Sequence, residues 1–341
     1  MKRLTIAILN WNGAKMLEQF LPSVCKYSVH DDVEICVIDN ASTDTSSTVV
    51  ATQFSSIKWI QLPENYGFAE GYNKGIKQLS TPYVLLLNSD VEVTEGWLTP
   101  LINYMEEHPK AVACQPKICA YHHKAYYEYA GAAGGFIDKW GYPFCRGRIF
   151  DTIEKVSEKY EEAIPVFWAT GAALLVRREA YEEVGGLDAH FFAHMEEIDL
   201  CWRWQLRGYE IACVPQSTVY HVGGGTLKKE SPKKTYLNFR NNLLMLYKNL
   251  PKERMRHVYR VRLILDFVAM LHFLFQGNGR NALAVYEAHR DYRKQRKRYD
   301  SGVRVEKQFS DNLKGFKKYS ILWQYYVCGR KNYDKLPIMR N

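Results

Sequence analysis

The sequence predicts an α/β fold: a mainly parallel sheet with helices on both faces, continued by a basic, helical C-terminal extension. Two observations carry this. In the N-terminal half, short apolar runs rich in β-branched residues alternate with stretches of helical periodicity. Strands of that kind are buried on both sides by the helices between them. The second observation is a charge split. Residues 1–225 carry 19 Lys/Arg against 28 Asp/Glu, and residues 226–341 carry 27 against 9, so an acidic body precedes a tail suited to an anionic surface.

Taken in order, LTIAILN (4–10), EICVID (34–39), IKWIQL (57–62) and YVLLLN (83–88) read as strands. Between them GAKMLEQFLPSVCKYS (13–28), TSSTVVATQFS (45–55) and GFAEGYNKGIKQLS (67–80) read as helices. Residues 111–165 are less regular, with glycines among aromatics, and read as a hairpin-rich insertion on the acceptor side. Within it AGAAGGFIDKWGYPFCRGR (130–148) offers Arg146 and Arg148 for phosphate or carboxylate contact. ALLVRR (173–178) is then a strand, followed by a short helix ending at Gly185-Gly186. EEIDLCWRWQLRGY (196–209) is a helix stopped by Gly208, and EIACVP (210–215) a strand. The expected domains are a catalytic unit over 1–226 and an extension over 227–341.

In the extension, VRLILDFVAMLHFLF (261–275) is broken only by Arg262, Asp266 and His272, and it is too short to span a bilayer. The run HRDYRKQRKRYD (289–300) follows. Two readings fit: a helix lying in an anionic membrane interface, or a buried helix followed by a solvated basic one. The eight cysteines (25, 36, 114, 119, 145, 201, 213, 328) form no C-x-x-C pair, which suits a reducing compartment. The short apolar run after Met1 reads as a first strand, not a signal peptide.

Ligands of such sheets bind beyond the carboxyl ends of the strands, where Asn10-Trp11-Asn12, Asp39-Asn40 and Asn88-Ser89-Asp90 all fall. Asp39 can accept from a base imide or a ribose hydroxyl; alternatively Asp39, Ser42 and Asp44 only cap a helix. Asn65, Gly67, Gly71, Asn73 and Gly75 sit in NYGFAEGYNKGI, where small residues let backbone approach a diphosphate at a helix N-terminus, or simply let helix pack on sheet. Asp90 can hold Mg²⁺ or Mn²⁺, and His221, ahead of three glycines, is a candidate second ligand that favours manganese. Glu196, Glu197 and Asp199 supply a candidate general base; the plainer reading is acid favoured by the helix dipole.

In order and spacing, ILNWNG, VIDNASTD, NYGFAEGYNKGI, LLLNSDVEV, GAALLVRREAYEEVGGLD, FFAHMEEIDLCWR and YHVGGGT resemble the inverting family 2 glycosyltransferases of GT-A fold, in particular bacterial rhamnosyltransferase-type enzymes. The resemblance spans residues 4–226. It implies nucleoside contact at Asn10, Asn12 and Asp39, and a nucleotide-sugar pocket along Asn65–Asn73. It further implies a D-x-D-like metal motif at Asn88-Ser89-Asp90, a catalytic base at Glu197 and a third-ligand position at His221. The chain departs from the pattern at Asn88, which replaces the first acid, and at Glu197, a methylene longer than the usual Asp, so that Glu196 or Asp199 is an alternative base.

The implied activity is inverting transfer of a sugar, rhamnose-like, from a dTDP- or UDP-sugar to a glycan or lipid-linked glycan, with Mg²⁺ or Mn²⁺. This would occur in surface-polysaccharide synthesis, peripheral to the inner face of the cell membrane. The competing reading is a nucleic-acid-binding or silent scaffold protein using the basic tail, though the acidic body would repel a polyanion.

Overall fold

The computed structural model describes residues 2–28, 30–223, 231–300 and 313–337. Strands and helices alternate as the apolar pattern requires: β1 (Leu4–Asn10), α1 (Ala14–Tyr27), β2 (Val33–Asp39), α2 (Ser46–Gln53), β3 (Lys58–Gln61), α3 (Gly67–Ile76) and β4 (Tyr83–Asn88). After β5 (Val91–Val93) and α4 (Leu98–Glu107) comes β6 (Ala111–Ala120). An insertion of short strands follows, β7 (Gly135–Asp138), β8 (Pro143–Cys145), β9 (Arg148–Ile149), β10 (Thr152–Ile153) and β11 (Ile164–Pro165). β12 (Ala173–Arg177), α5 (Arg178–Glu183), α6 (Glu196–Gln205) and β13 (Glu210–His221) complete the body.

The main sheet runs β11-β13-β6-β12-β4-β1-β2-β3, with β5 also paired to β13. Strands β3, β2, β1, β4, β6 and β13 share one direction, whereas β12 opposes both of its neighbours and β5 and β11 oppose β13. The mainly parallel reading therefore holds, and antiparallel strands enter where the chain doubles back. Alternate side chains feed two cores, as period-2 geometry demands. Leu4, Ile6, Ile8, Leu85 and Leu87 point to the face covered by α1, α2 and α4. Ala7, Val84, Leu86, Leu174 and Val176 point to the face covered by α3, α5 and α6.

β6 is a fully strand-like segment that the sequence conceals. Gln115, Pro116 and Lys117 interrupt its apolar run, and the register against β13 shifts opposite them, between Val214 and Thr218. A bulge accommodates the proline there. The hairpin-rich insertion is present as a second sheet, β10-β9-β8-β7-β14, whose last strand β14 (Phe316–Lys317) returns from the C-terminus.

Among its described residues the extension contains the α-helices α7 (Pro232–Asn249), α8 (Lys252–Phe275) and α9 (Gly279–Gln295). The expected boundary at 226/227 lies outside the described residues. The extension is not a detached tail, because β14 pairs with β7 and Asp138 accepts from Ile321 N at 2.9 Å. No helix among the described residues is long and apolar enough to cross a membrane. The eight cysteines are all free, and Cys328 is the exposed one.

Candidate active site

The ends of β1 and β2 build the first station. Buried Asp39 accepts from Asn10 Nδ2 (2.8 Å), Ser42 N (2.9 Å), Ser42 Oγ (2.6 Å) and Gln61 Nε2 (2.9 Å). It caps the turn after β2 and fixes the Asn10 amide at once. Asn10 Oδ1 is buried without a hydrogen-bond partner. A Cβ on Gly13 would lie 2.4 Å from that oxygen, so glycine keeps its surroundings open. Asn12 takes φ 51°, donates its N–H to Ser42 Oγ (2.9 Å) and accepts from Thr43 N (2.7 Å), tying the two strand-end loops together.

The α3 segment divides in two. Asn65 Oδ1 accepts from Asn40 Nδ2 and from Gly67 N, each at 2.9 Å, which holds the helix N-terminus against the end of β2. Gly67, at φ 76°, lies under the Phe192 ring. A Cβ on Gly71 would meet Leu9 and Asn40 Nδ2 at 3.0–3.2 Å, so Gly71 allows close packing of helix on sheet. Asn73 departs from its expected place in the nucleotide-sugar pocket. Its Oδ1 accepts from Tyr181 Oη (2.7 Å) and Leu187 N (3.0 Å), and its Nδ2 donates to Leu187 O (2.8 Å). Asn73 is committed to pinning the loop after α5.

At the end of β4, Asp90 Oδ1 lies 3.1 Å from His221 Nε2, and Asn88 Nδ2 lies 3.4 Å from the same nitrogen. Burial opposes the Asp90 charge, but the His221 hydrogen bond and charge outweigh it and lower the pKa. Burial likewise disfavours His221 protonation, yet Asp90 and Glu128 raise it to about 10. The separation fits two adjacent ligands of one octahedral ion, which stand roughly 3 Å apart when each bond is about 2.1 Å. Among the described residues no group of three or more His, Cys, Asp or Glu gathers to hold a metal. Among the described residues the protein side of such a seat is Asp90 and His221. His221 Nδ1 is buried without a hydrogen-bond partner, with Glu128 Oε2 3.7 Å away. Nothing in the sequence singled out Glu128, which lies in the irregular insertion. Of the glycines after His221, Gly224 and Gly225 lie outside the described residues.

The third station is the start of α6. Glu196 Oε2 and Glu197 Oε2 are both buried with no hydrogen-bond partner. Burial raises the Glu197 pKa to about 7. Burial, and then the Glu197 charge, pushes Glu196 well above the usual carboxylate range. Glu197 is the more accessible of the two. A Cβ on Gly171 would stand 3.3 Å from the Phe68 ring and 4.0 Å from Glu197 Cβ. The next residue, Ala172, accepts from Asn88 N at 2.9 Å. Gly171 thus brings α3, α6 and the end of β4 into one neighbourhood.

Asp199 does not share that environment. Fully buried, it accepts from Arg203 Nε (2.7 Å), Lys248 Nζ (2.8 Å) and Asn249 Nδ2 (2.7 Å). Burial alone would raise its pKa, but Lys248 and Arg203 outweigh it and hold the pKa low. Sequestered by cations, it is unsuited to taking a proton from a substrate. Arg146 and Arg148 also differ from expectation. Both are buried and donate to backbone carbonyls, Arg146 to Ala133 and Glu162, Arg148 to Tyr129, which leaves them to brace the insertion.

A feature missed in the sequence precedes α6. Phe192, His194 and Met195 take φ of 64°, 70° and 75° without being glycine. Such residues cost roughly 1–3 kcal/mol each and cluster where a site needs its backbone held. Asn241 Nδ2 holds this loop by donating to Phe191 O (2.9 Å), Ala193 O (2.8 Å) and His194 O (2.8 Å).

Solved structures with this fold are GT-A glycosyltransferases. The mannosyltransferase PcManGT of Pyrobaculum calidifontis, in complex with GDP-Man and Mn²⁺, aligns over 85% of this chain and 75% of its own, with TM-score 0.52 and 14% identity. Staphylococcus aureus TarS 1-349 with UDP-GlcNAc aligns over 86% and 92%, with TM-score 0.52 and 13% identity. The chain belongs to glycosyl transferase family 2, whose model matches residues 5–185, and it is a glycosyltransferase. It is 26% identical over 233 residues to the N-acetylglucosaminyl-diphospho-decaprenol L-rhamnosyltransferase of Mycobacterium tuberculosis, covering 64% of this chain and 75% of the relative. Against the low-salt glycan biosynthesis hexosyltransferase Agl10 of Haloferax volcanii it is 23% identical, covering 71% and 74%.

Proposed function

We propose that the protein transfers a sugar, rhamnose-like, from a dTDP- or UDP-sugar to a lipid-linked glycan with inversion, working peripherally at the inner face of a membrane in surface-polysaccharide synthesis. The observation that carries the chemistry is Glu197: a carboxylate whose Oε2 is buried without a hydrogen-bond partner, its pKa raised to about 7, near the carboxyl end of β4. The mycobacterial relative's lipid-linked acceptor supports the acceptor class and the sugar. The Mn²⁺ of the mannosyltransferase complex and the Asp90–His221 pair support a divalent ion, Mn²⁺ or Mg²⁺. Family membership favours catalysis over a nucleic-acid-binding or scaffold role.

In this reading Asn10 Oδ1 is the free acceptor for a nucleoside N–H, and Asp39 holds the Asn10 amide in place. Asn12, Asn65 and Gly67 shape the two loops around the donor, and Asn88 replaces one acidic ligand with a neutral amide. Asp90 and His221 would hold the ion, which neutralises charge on the departing diphosphate when bound. Glu197 takes the proton of the acceptor hydroxyl as that oxygen bonds to the anomeric carbon and the bond to the diphosphate breaks. Glu196, kept protonated beside it, leaves the single negative charge on Glu197.

The test is turnover of a panel of dTDP-, UDP- and GDP-sugars, with and without Mn²⁺ or Mg²⁺. Metal-dependent release of one nucleoside diphosphate, abolished in Asp90→Ala, is expected. Equal turnover in Asp90→Ala, or in chelator, would refute the metal assignment.

A further inference from the structure

The α8 helix is inside out for a soluble protein. Its two charged breaks face the body: Arg262 and Asp266 are each 1% exposed. In its C-terminal half a row of apolar residues faces outward, with Ile264 66%, Phe267 53%, Val268 56% and Phe275 89% exposed, and Leu263 and Leu274 beside them. At 100° per residue these positions form one continuous stripe opposite the packed side. Toward the helix N-terminus the same stripe continues into Arg256 and Arg260, both exposed, with one acid, Glu253, beyond them. A stripe of this size, rimmed by cations, marks an interaction surface.

From this face we infer that α8 is the docking element by which the enzyme lies on an anionic lipid surface, its apolar half among the acyl chains and Arg256 and Arg260 against headgroup phosphates. The inference rests on the peripheral-membrane part of the proposed function and gives that contact its residues. Charge chooses lipid over a second copy of the chain. Residues 226–341 carry 27 Lys/Arg against 9 Asp/Glu, which favours an anionic partner. A two-fold contact through this stripe would either bring the arginines of both copies together or bury them against apolar side chains.

The inward-facing charges tie this surface to the active-site loop. Arg262 Nε donates to Asp266 Oδ1 (3.0 Å), and its Nη1 donates to Asn242 Oδ1. Asp266 also accepts from Tyr142 Oη (2.8 Å), while His289 Nε2 lies 2.9 Å from its other oxygen. Asn242 sits beside Asn241, whose amide holds the 191–194 carbonyls ahead of Glu196. A bilayer gripping α8 therefore holds the catalytic loop at a fixed height above it, a suitable arrangement for an acceptor anchored in that bilayer.

The experiment is co-flotation of the full chain with phosphatidylcholine vesicles, with and without phosphatidylglycerol, at physiological ionic strength. The wild type is compared with Ile264→Glu/Phe267→Glu/Phe275→Glu, the milder Phe267→Ser/Phe275→Ser, and Arg256→Glu/Arg260→Glu. Melting temperature and sedimentation velocity accompany each protein. Wild-type flotation with phosphatidylglycerol vesicles, reduced at least ~10-fold in the triple variant and in the charge-reversed pair at unchanged melting temperature, is the expected result. If the wild type floats and every variant floats equally well, the α8 face is wrong and the membrane reading stands. If the wild type floats with neither vesicle, the membrane reading itself fails and takes the α8 assignment with it. A wild-type dimer that becomes monomeric in the triple variant, without flotation, gives the stripe to a second copy and overturns the lipid assignment.

Discussion

The first turn of α6 treats the same chemical group in opposite ways. Glu196 and Glu197 each carry a buried, unpaired Oε2 and have raised pKa values. Asp199, two residues further on, meets Arg203, Lys248 and Asn249 and has a lowered one. Lys248 also grips Asp188 at 2.7 Å, so it fastens α7 to the loop before α6. A buried acid with cations around it is a fastener, because its charge is already neutralised. A buried acid without them holds its proton near neutral pH and can exchange it with a substrate. Glu197 and Asp199 point in different directions from the helix, whereas Glu196 and Asp199 share a face and are separated by their partners alone.

The comparison breaks first at Glu197→Gln. That change removes the proposed base and leaves the fold, so kcat is expected to fall ~10²–10⁴-fold with the melting temperature unchanged. A loss below tenfold would move the role to another carboxylate. Asp199→Ala should do the reverse. It leaves Lys248 and Arg203 facing each other without their shared acid, at a cost of about 3–5 kcal/mol in chemical denaturation. If Asp199→Ala unfolds normally but loses turnover, the fastener reading is wrong.

A smaller effect is expected at Glu128→Gln, the acid beside His221 Nδ1. An outer carboxylate that orients a ligating histidine is typically worth ~10–100-fold in metal affinity. Mn²⁺ titration followed by electron paramagnetic resonance would read this without any turnover; unchanged affinity would leave Glu128 a purely structural acid. Asn73→Ala should cost roughly 1–3 kcal/mol of stability while calorimetric donor affinity stays as it was, since its amide serves the 181–187 loop. Weakened donor binding at unchanged stability would return Asn73 to the pocket.

Much of this was legible in the sequence because the N-terminal strands are apolar and sharply bounded, so β1 to β4 and the helices between them fall where periodicity puts them. The strand-end positions of Asn10, Asp39 and Asp90 follow from the same pattern. What escaped depends on long-range partners. Strand β6 is hidden by Gln115, Pro116 and Lys117, whose polarity is accommodated by a bulge against β13. Asp199 could not be told from Glu197, because the difference lies in Lys248, 49 residues away in the chain. Glu128 reaches His221 only through the folded insertion. The exposed stripe of α8 was visible as an apolar run, but which side faced out depended on Arg262 and Asp266 finding buried partners.

The measurement closest to the central claim is the pH dependence of kcat/KM for donor turnover by the wild type and Glu197→Gln. A base with its pKa raised to about 7 is ionised above that pH, so below it wild-type activity should fall about tenfold per unit. In Glu197→Gln the residual activity should lose this acid limb. A limb near pH 7 that survives in Glu197→Gln would mean that another group takes the proton, and the contrast between Glu197 and Asp199 would no longer explain the chemistry.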